Sequence, residues 1–188
     1  MASRAAARRL AREDGFTLVE LLVAMAVTAV GLMALVSSFD HSRDLVTLAE
    51  KTEVASHQAE RKVEAILALA YSDVAHASAP ADSADPDSPA SFVNGGSYQW
   101  DQGSTGPQSN AMVVDAAGDV PSAPEAWTDS ESRLEGEVHS FVTWQSAACQ
   151  TATCPKRVTV AVTVGGPRPL RKPVLISTVL VDPDDTGT

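Results

Sequence analysis

The residues best equipped for chemistry are two cysteines, four histidines and a group of aspartates. Cys149 and Cys154 are spaced C-x4-C. Two thiolates cannot close a tetrahedral zinc shell, and the spacing is not the C-x-x-C of redox proteins. In an exported chain they are expected to form a disulfide rather than remain free thiols. The loop it closes is short, so the stabilisation should be modest, about 2 kcal/mol. His41, His57, His76 and His139 form no H-E-x-x-H, and the chain has no G-x-S-x-G, P-loop or dinucleotide fingerprint. The expectation is therefore no enzyme and no cofactor. Asp82, Asp85 and Asp87 could attract calcium, but they lack the D-x-D-x-D-G order of a calcium loop. Flexible acidic linkers are common, and no metal is expected.

Glu20 is a carboxylate of a different kind. Between Leu18 and Val36 it is the only charged residue, and Thr28 and Gly31 are the only other breaks in the apolar side chains. As a helix this stretch is about 28 Å long, enough to cross the hydrocarbon core of a bilayer. It follows Arg4, Arg8, Arg9 and Arg12. A basic flank ahead of an apolar run reads as an export or insertion signal, with the arginines held in the cytoplasm and the rest of the chain outside it. A secretory signal would be cut after the run, near Ser38. A lipoprotein would need a cysteine just after the run, and a plain anchor would be retained whole. None of these by itself accounts for Glu20, whose burial near a membrane centre costs about 2.5–3.5 kcal/mol and less near an end; the plain alternative is a carboxylate that snorkels to the interface.

The residues Gly15, Phe16, Thr17, Leu18, Val19 and Glu20, behind a basic leader and ahead of the apolar run, resemble the N-terminal signal of type IV prepilins and type II secretion pseudopilins. The resemblance implies cleavage between Gly15 and Phe16 by a prepilin peptidase, followed by N-methylation of Phe16. That cut lies before the apolar run, so the hydrophobic helix stays on the mature protein. It also creates an ammonium at Phe16. In similar proteins the glutamate is thought to meet the N-terminal amine of a neighbouring subunit. Such a pair adds little net stability, and its best-attested use is to fix register. The resemblance thus implies an assembly role for Glu20.

The elements that must position these residues follow from the pattern downstream. No proline interrupts the sequence up to Tyr71, and Leu45, Leu48, Val63, Ile66, Leu67 and Leu69 suit an amphipathic continuation of the helix. Major pilins usually carry a kinking proline about twenty residues into the mature chain; here the neighbourhood reads Leu35-Val36-Ser37-Ser38. From Ala77 to Pro124 proline, glycine, serine and aspartate dominate, a composition too polar to fold alone. Residues 138–144, 157–164 and 174–181 read as three strands. The middle one alternates Val158, Val160, Val162 and Val164 with Thr159, Ala161 and Thr163, as in a half-buried strand. This C-terminal pattern resembles, more loosely, minor pilins of the PilV type and related pseudopilins.

The expected architecture is α+β and pilin-like, a long N-terminal hydrophobic and amphipathic helix packed against a small C-terminal antiparallel sheet. Its segments are a leader at 1–15, a transmembrane or filament-core helix at 16–38, the amphipathic half of that helix at 39–72, an irregular region at 73–137, and the sheet of the head at 138–188. The formal charge is -10; without a leader of charge +2 the chain would stand at -12, with 10 basic and 22 acidic residues. Such a body is repelled by nucleic acid and anionic lipid, with Arg168, Arg171 and Lys172 a local exception that reads as a solvated turn. The resemblance implies other partners: prepilin peptidase, other pilin or pseudopilin subunits, an inner-membrane assembly platform, and the cytoplasmic membrane before assembly. The competing reading is a secreted or membrane-anchored binding protein whose N-terminus is an ordinary export signal.

Overall fold

The computed structural model describes residues 17–101, 108–146, 148–166 and 169–183. The chain divides into two units, 1–46 and 47–188. A single helix, α1, runs Leu18–Leu67. Its N-terminus is closed by Thr17, whose Oγ1 accepts the Glu20 N–H at 3.2 Å. This is the cap-to-third-residue bond that satisfies one of the unpaired N–H groups of a helix start.

In the first unit every described residue is exposed. Hydroxyls along it are satisfied within the helix. Thr28 Oγ1 donates to the Ala24 carbonyl at 2.8 Å, and Ser42 Oγ donates to the Ser38 carbonyl at 3.0 Å. A hydroxyl folded back on the preceding turn has no donor left to desolvate, so Thr28 is compatible with an apolar surrounding. The helix continues unbroken through residues 35–38, where a kinking proline would otherwise stand.

In the second unit α1 buries Ala55, Ala59, Val63 and Ile66, one stripe at helical spacing. The stripe is narrower than expected and starts with alanines. Leu45, Leu48 and Leu67, read from the sequence as part of the apolar face, are exposed. The stripe brings little volume of its own, and the large aliphatic side chains of the cluster come from the sheet side. The helix also stops earlier than Tyr71. Leu69 N–H bonds the Ile66 carbonyl in a tightened last turn.

Two antiparallel sheets make the rest of the unit. The smaller contains β1 (Val93–Asn94), β2 (Ser97–Asp101) and β3 (Gln108–Ala111). The larger contains β4 (Glu125–Asp129), β5 (Leu134–Trp144), β6 (Lys156–Val164) and β7 (Val174–Leu180), in that order. The three C-terminal strands expected from the sequence correspond to β5–β7. The segment 73–137, read as irregular, supplies β1–β4 as well. Its first hairpin turns on Gly95 and Gly96, both at positive φ (56° and 79°), as a two-residue turn of the tight hairpin class requires.

The core has two layers. Val138, Val142, Val158, Val160, Val162 and Val164 pack with the α1 stripe on one face of the large sheet. On the other face Val93, Tyr98 and Met112 of the small sheet and its flanks cover Phe141 and Ala161. Tyr98 stacks on Phe141 with ring centroids 4.1 Å apart. β6 is therefore buried on both faces, Thr159 and Ala161 included, and not half-buried as its alternation suggests. The covering sheet comes from the segment read as irregular, although Tyr98 and Trp100 alternate with polar residues behind the Gly95-Gly96 turn.

Candidate functional site

Two places carry the residues singled out by type. The first is the start of α1. Leu18 opens the helix, Thr17 caps it, and Glu20 sits in the first turn, where a carboxylate is favoured by the helix dipole. Thr17-Leu18-Val19-Glu20 has the T-x-x-E spacing of a capping box. That signal was present in the sequence, and it assigns Thr17 a part in the site that the cleavage pattern alone does not suggest. Gly15 and Phe16 lie outside the described residues. Downstream, Leu18, Leu21, Leu22, Met25 and Met33 are all exposed. Among the described residues this is the one helix long and apolar enough to cross a membrane.

The second place is the disulfide loop of the head. Cys149 and Cys154 are bonded to each other in the connection between β5 and β6. Thr151 N–H lies 3.1 Å from Cys154 Sγ, which tightens the loop further. The loop presents the Cys154 carbonyl to the Tyr71 hydroxyl, which donates to it. Lys156 then closes the circuit, with Nζ donating to the Tyr71 carbonyl at 2.7 Å and standing 4.3 Å from the centroid of its ring. Burial pushes the Lys156 ammonium below the ordinary lysine range, partly offset by Asp115, Asp182 and Asp73. The arrangement ties the chain just past α1 to the sheet.

The histidines fall in unrelated surroundings. His41 and His57 lie on α1, and His57 Nδ1 is 3.6 Å from Glu60. His139 Nε2 is 3.3 Å from Glu137 Oε2. His76 is fully buried, and its ring bridges two backbone segments. Asp85 spends its carboxylate on a turn, accepting the Asp87 N–H at 3.0 Å. Asp85 and Asp87 line an open cleft of about 930 Å³ with Glu135, Glu137, Trp127 and Arg171. Among the described residues no three His, Cys, Asp or Glu side chains are grouped to hold a metal ion. Of the basic trio, Arg171 and Lys172 are exposed and Arg168 lies outside the described residues.

Comparison with known proteins adds one positive finding. The family model of the prokaryotic N-terminal methylation motif matches residues 10–36. No curated protein and no solved structure matches the chain. The matched stretch takes in the Gly15–Phe16 junction, the Thr17 cap, Glu20 and the apolar part of α1, so the N-terminal segment carries the methylation motif of type IV pilin-like proteins.

Proposed function

We propose that this chain is a minor pilin or pseudopilin, a structural subunit of a type IV pilus or related filament. In this reading prepilin peptidase removes residues 1–15, and the new amine of Phe16 is N-methylated. Residues 16–38 anchor the subunit in the cytoplasmic membrane with the head outside the cytoplasm, and later enter the filament core. Residues 39–72 carry the amphipathic half of the helix to the head. Glu20 pairs with the Phe16 amine of a neighbouring subunit, so that a subunit out of register leaves two charges without partners. Other pilin subunits and an inner-membrane assembly platform are the partners, and the Cys149–Cys154 clasp holds one loop of the head. The role is mechanical, with no catalytic step.

One observation carries this reading: the methylation motif coincides with a helix that starts at Leu18 and holds a single carboxylate in its first turn. The absence of a kinking proline near residues 35–38 favours a minor over a major subunit. Intact mass and N-terminal sequencing of the mature protein test it. A chain starting at N-methylated Phe16 is expected. A mature start at Phe39 would establish the competing reading, an exported binding protein.

A further inference from the structure

The two sulfurs of the disulfide in the head are not equivalent. Cys154 is only 2% exposed, whereas Cys149 is half-buried between the exposed Ala148 and Gln150. Cys154 also closes a tight turn of its own, its N–H donating to the Thr151 carbonyl at 2.9 Å. Cys149 sits one step earlier on the loop, with its N–H on the Ser146 carbonyl at 3.2 Å. A reagent arriving from solvent therefore meets Cys149 first, because access decides which sulfur of a disulfide is attacked.

Thr151 adds a second asymmetry. Its N–H lies 3.1 Å and its Oγ1 3.0 Å from Cys154 Sγ. A disulfide sulfur carries no hydrogen, so the Thr151 hydroxyl is the donor. Two donors thus aim at one sulfur, which in a disulfide is a weak acceptor. A thiolate accepts far more strongly, and hydrogen bonds that favour the charged form make it the better leaving group. Both donors come from within the 151–154 turn, so they do not depend on the S–S bond for their position.

We infer that the clasp is a polarised site of thiol exchange, at which a small aliphatic thiol attacks Cys149 and Cys154 leaves. The incoming thiol loses its proton to solvent, and its sulfur attacks Cys149 Sγ in line with the existing bond. A new disulfide forms to Cys149, the Cys149–Cys154 bond breaks, and its electron pair departs on Cys154 Sγ. The incoming sulfur is oxidised and Cys154 is reduced. The Thr151 N–H and hydroxyl receive the leaving thiolate where it stands. Closure runs the same path backwards, with the Cys154 thiolate attacking the Cys149 sulfur and expelling the small thiol. This goes beyond the filament role proposed above, since it involves neither the N-terminal helix nor Glu20 and holds for the unassembled chain.

The test uses the full-length chain in detergent micelles with the clasp closed. Glutathione is added at mildly alkaline pH, the reaction is stopped with excess N-ethylmaleimide, and peptide mass spectrometry locates both labels. Glutathione on Cys149 with maleimide on Cys154 should exceed the reverse arrangement at least about tenfold. Exposure alone would also favour Cys149, so a rate is needed for Thr151. Dithiothreitol, whose second thiol draws the mixed disulfide onward, supplies it. Thr151→Val keeps the N–H but removes the hydroxyl and should slow opening about threefold or more, while Thr151→Ser should keep the parental rate. Glutathione shared equally between the sulfurs, or found mainly on Cys154, would overturn the inference. So would a clasp that takes up no glutathione, or a Thr151→Val rate equal to that of the parent. Thr151 is exposed, and both variants are expected to melt with the parent, which separates a lost donor from a lost fold.

Discussion

The Nε2 of His76 accepts the backbone N–H of Val142 at 3.0 Å, and Nδ1 of the same ring lies 3.1 Å from the Val120 carbonyl. Nε2 must then be unprotonated and Nδ1 must carry the hydrogen. A side chain takes the place of a neighbouring strand where β4 ends and β5 continues. Burial holds the ring below its ordinary 6.5. Above pH 6.5 the ring is neutral in both folded and unfolded chains, and the head has its full stability. As pH falls below 6.5 the unfolded chain takes up a proton that the folded ring refuses, and stability is lost. His139 is lowered too, chiefly by burial, and adds in the same direction. The thermal midpoint should fall between about pH 7.5 and 5. His76→Leu, which leaves the Val142 N–H and Val120 carbonyl without partners, should cost about 2–4 kcal/mol and flatten part of that dependence. Melting curves of both proteins across this range measure it.

Glu20→Ala separates the cap of the helix from the charge. The capping bond to Thr17 Oγ1 uses the backbone N–H of Glu20 and survives the substitution. Helix content and head stability should therefore match the parent, while under the proposed docking role incorporation into filaments should fall about tenfold or more for want of a partner to a Phe16 amine. Quantifying the subunit in sheared filaments against total cell protein reads the effect. Unchanged incorporation would remove Glu20 from the docking role.

The clasp and Tyr71 act through one carbonyl. Replacing both Cys149 and Cys154 by Ser should cost about 2 kcal/mol, the value for a loop this short. Tyr71→Phe, which deletes the hydroxyl bonded to the Cys154 carbonyl, should cost about 1 kcal/mol. Without the clasp that carbonyl is no longer held in place, so the combined variant should lose less than the two losses added. Denaturant titration of the four proteins gives the coupling.

Gly136 and Gly165 provide a matched comparison. A Cβ on Gly136 would lie 1.9 Å from the Thr163 carbonyl oxygen, backbone that cannot move without breaking the β5–β6 pairing. The indole N–H of Trp127, which donates to the same oxygen at 3.2 Å, crowds the site further. Gly136→Ala should cost about 2 kcal/mol or more. On Gly165 the nearest atom would be 3.5 Å away, an ordinary contact, and Gly165→Ala should stay within about 0.5 kcal/mol. Denaturation midpoints compare them directly.

The N-terminal segment was legible because its signals are local. Basic flank, Gly15-Phe16, Thr17 cap, Glu20 offset and apolar run all act over a few residues, and the T-x-x-E cap could have been read with them. The valine-rich β5–β7 were legible for the same reason, since a strand's period of two is written in consecutive residues. The small sheet was not. Ser97–Asp101 and Gln108–Ala111 are short and set among Gly, Ser, Asp and Pro, so the alternation of Tyr98 and Trp100 was passed over, and the stacking of Tyr98 on Phe141, more than forty residues away, is not written locally.

By itself the sequence determined the apolar helix, its single charge, the α+β class and the C-terminal strands, because composition and periodicity act along the chain. Only the tertiary structure decided that His76 stands in for a strand, that β6 is covered on both faces, and that the buried stripe of α1 begins with Ala55 and Ala59. Each of those depends on which distant segment arrives at a surface, and burial and hydrogen-bond satisfaction are settled by arrivals that no local pattern encodes.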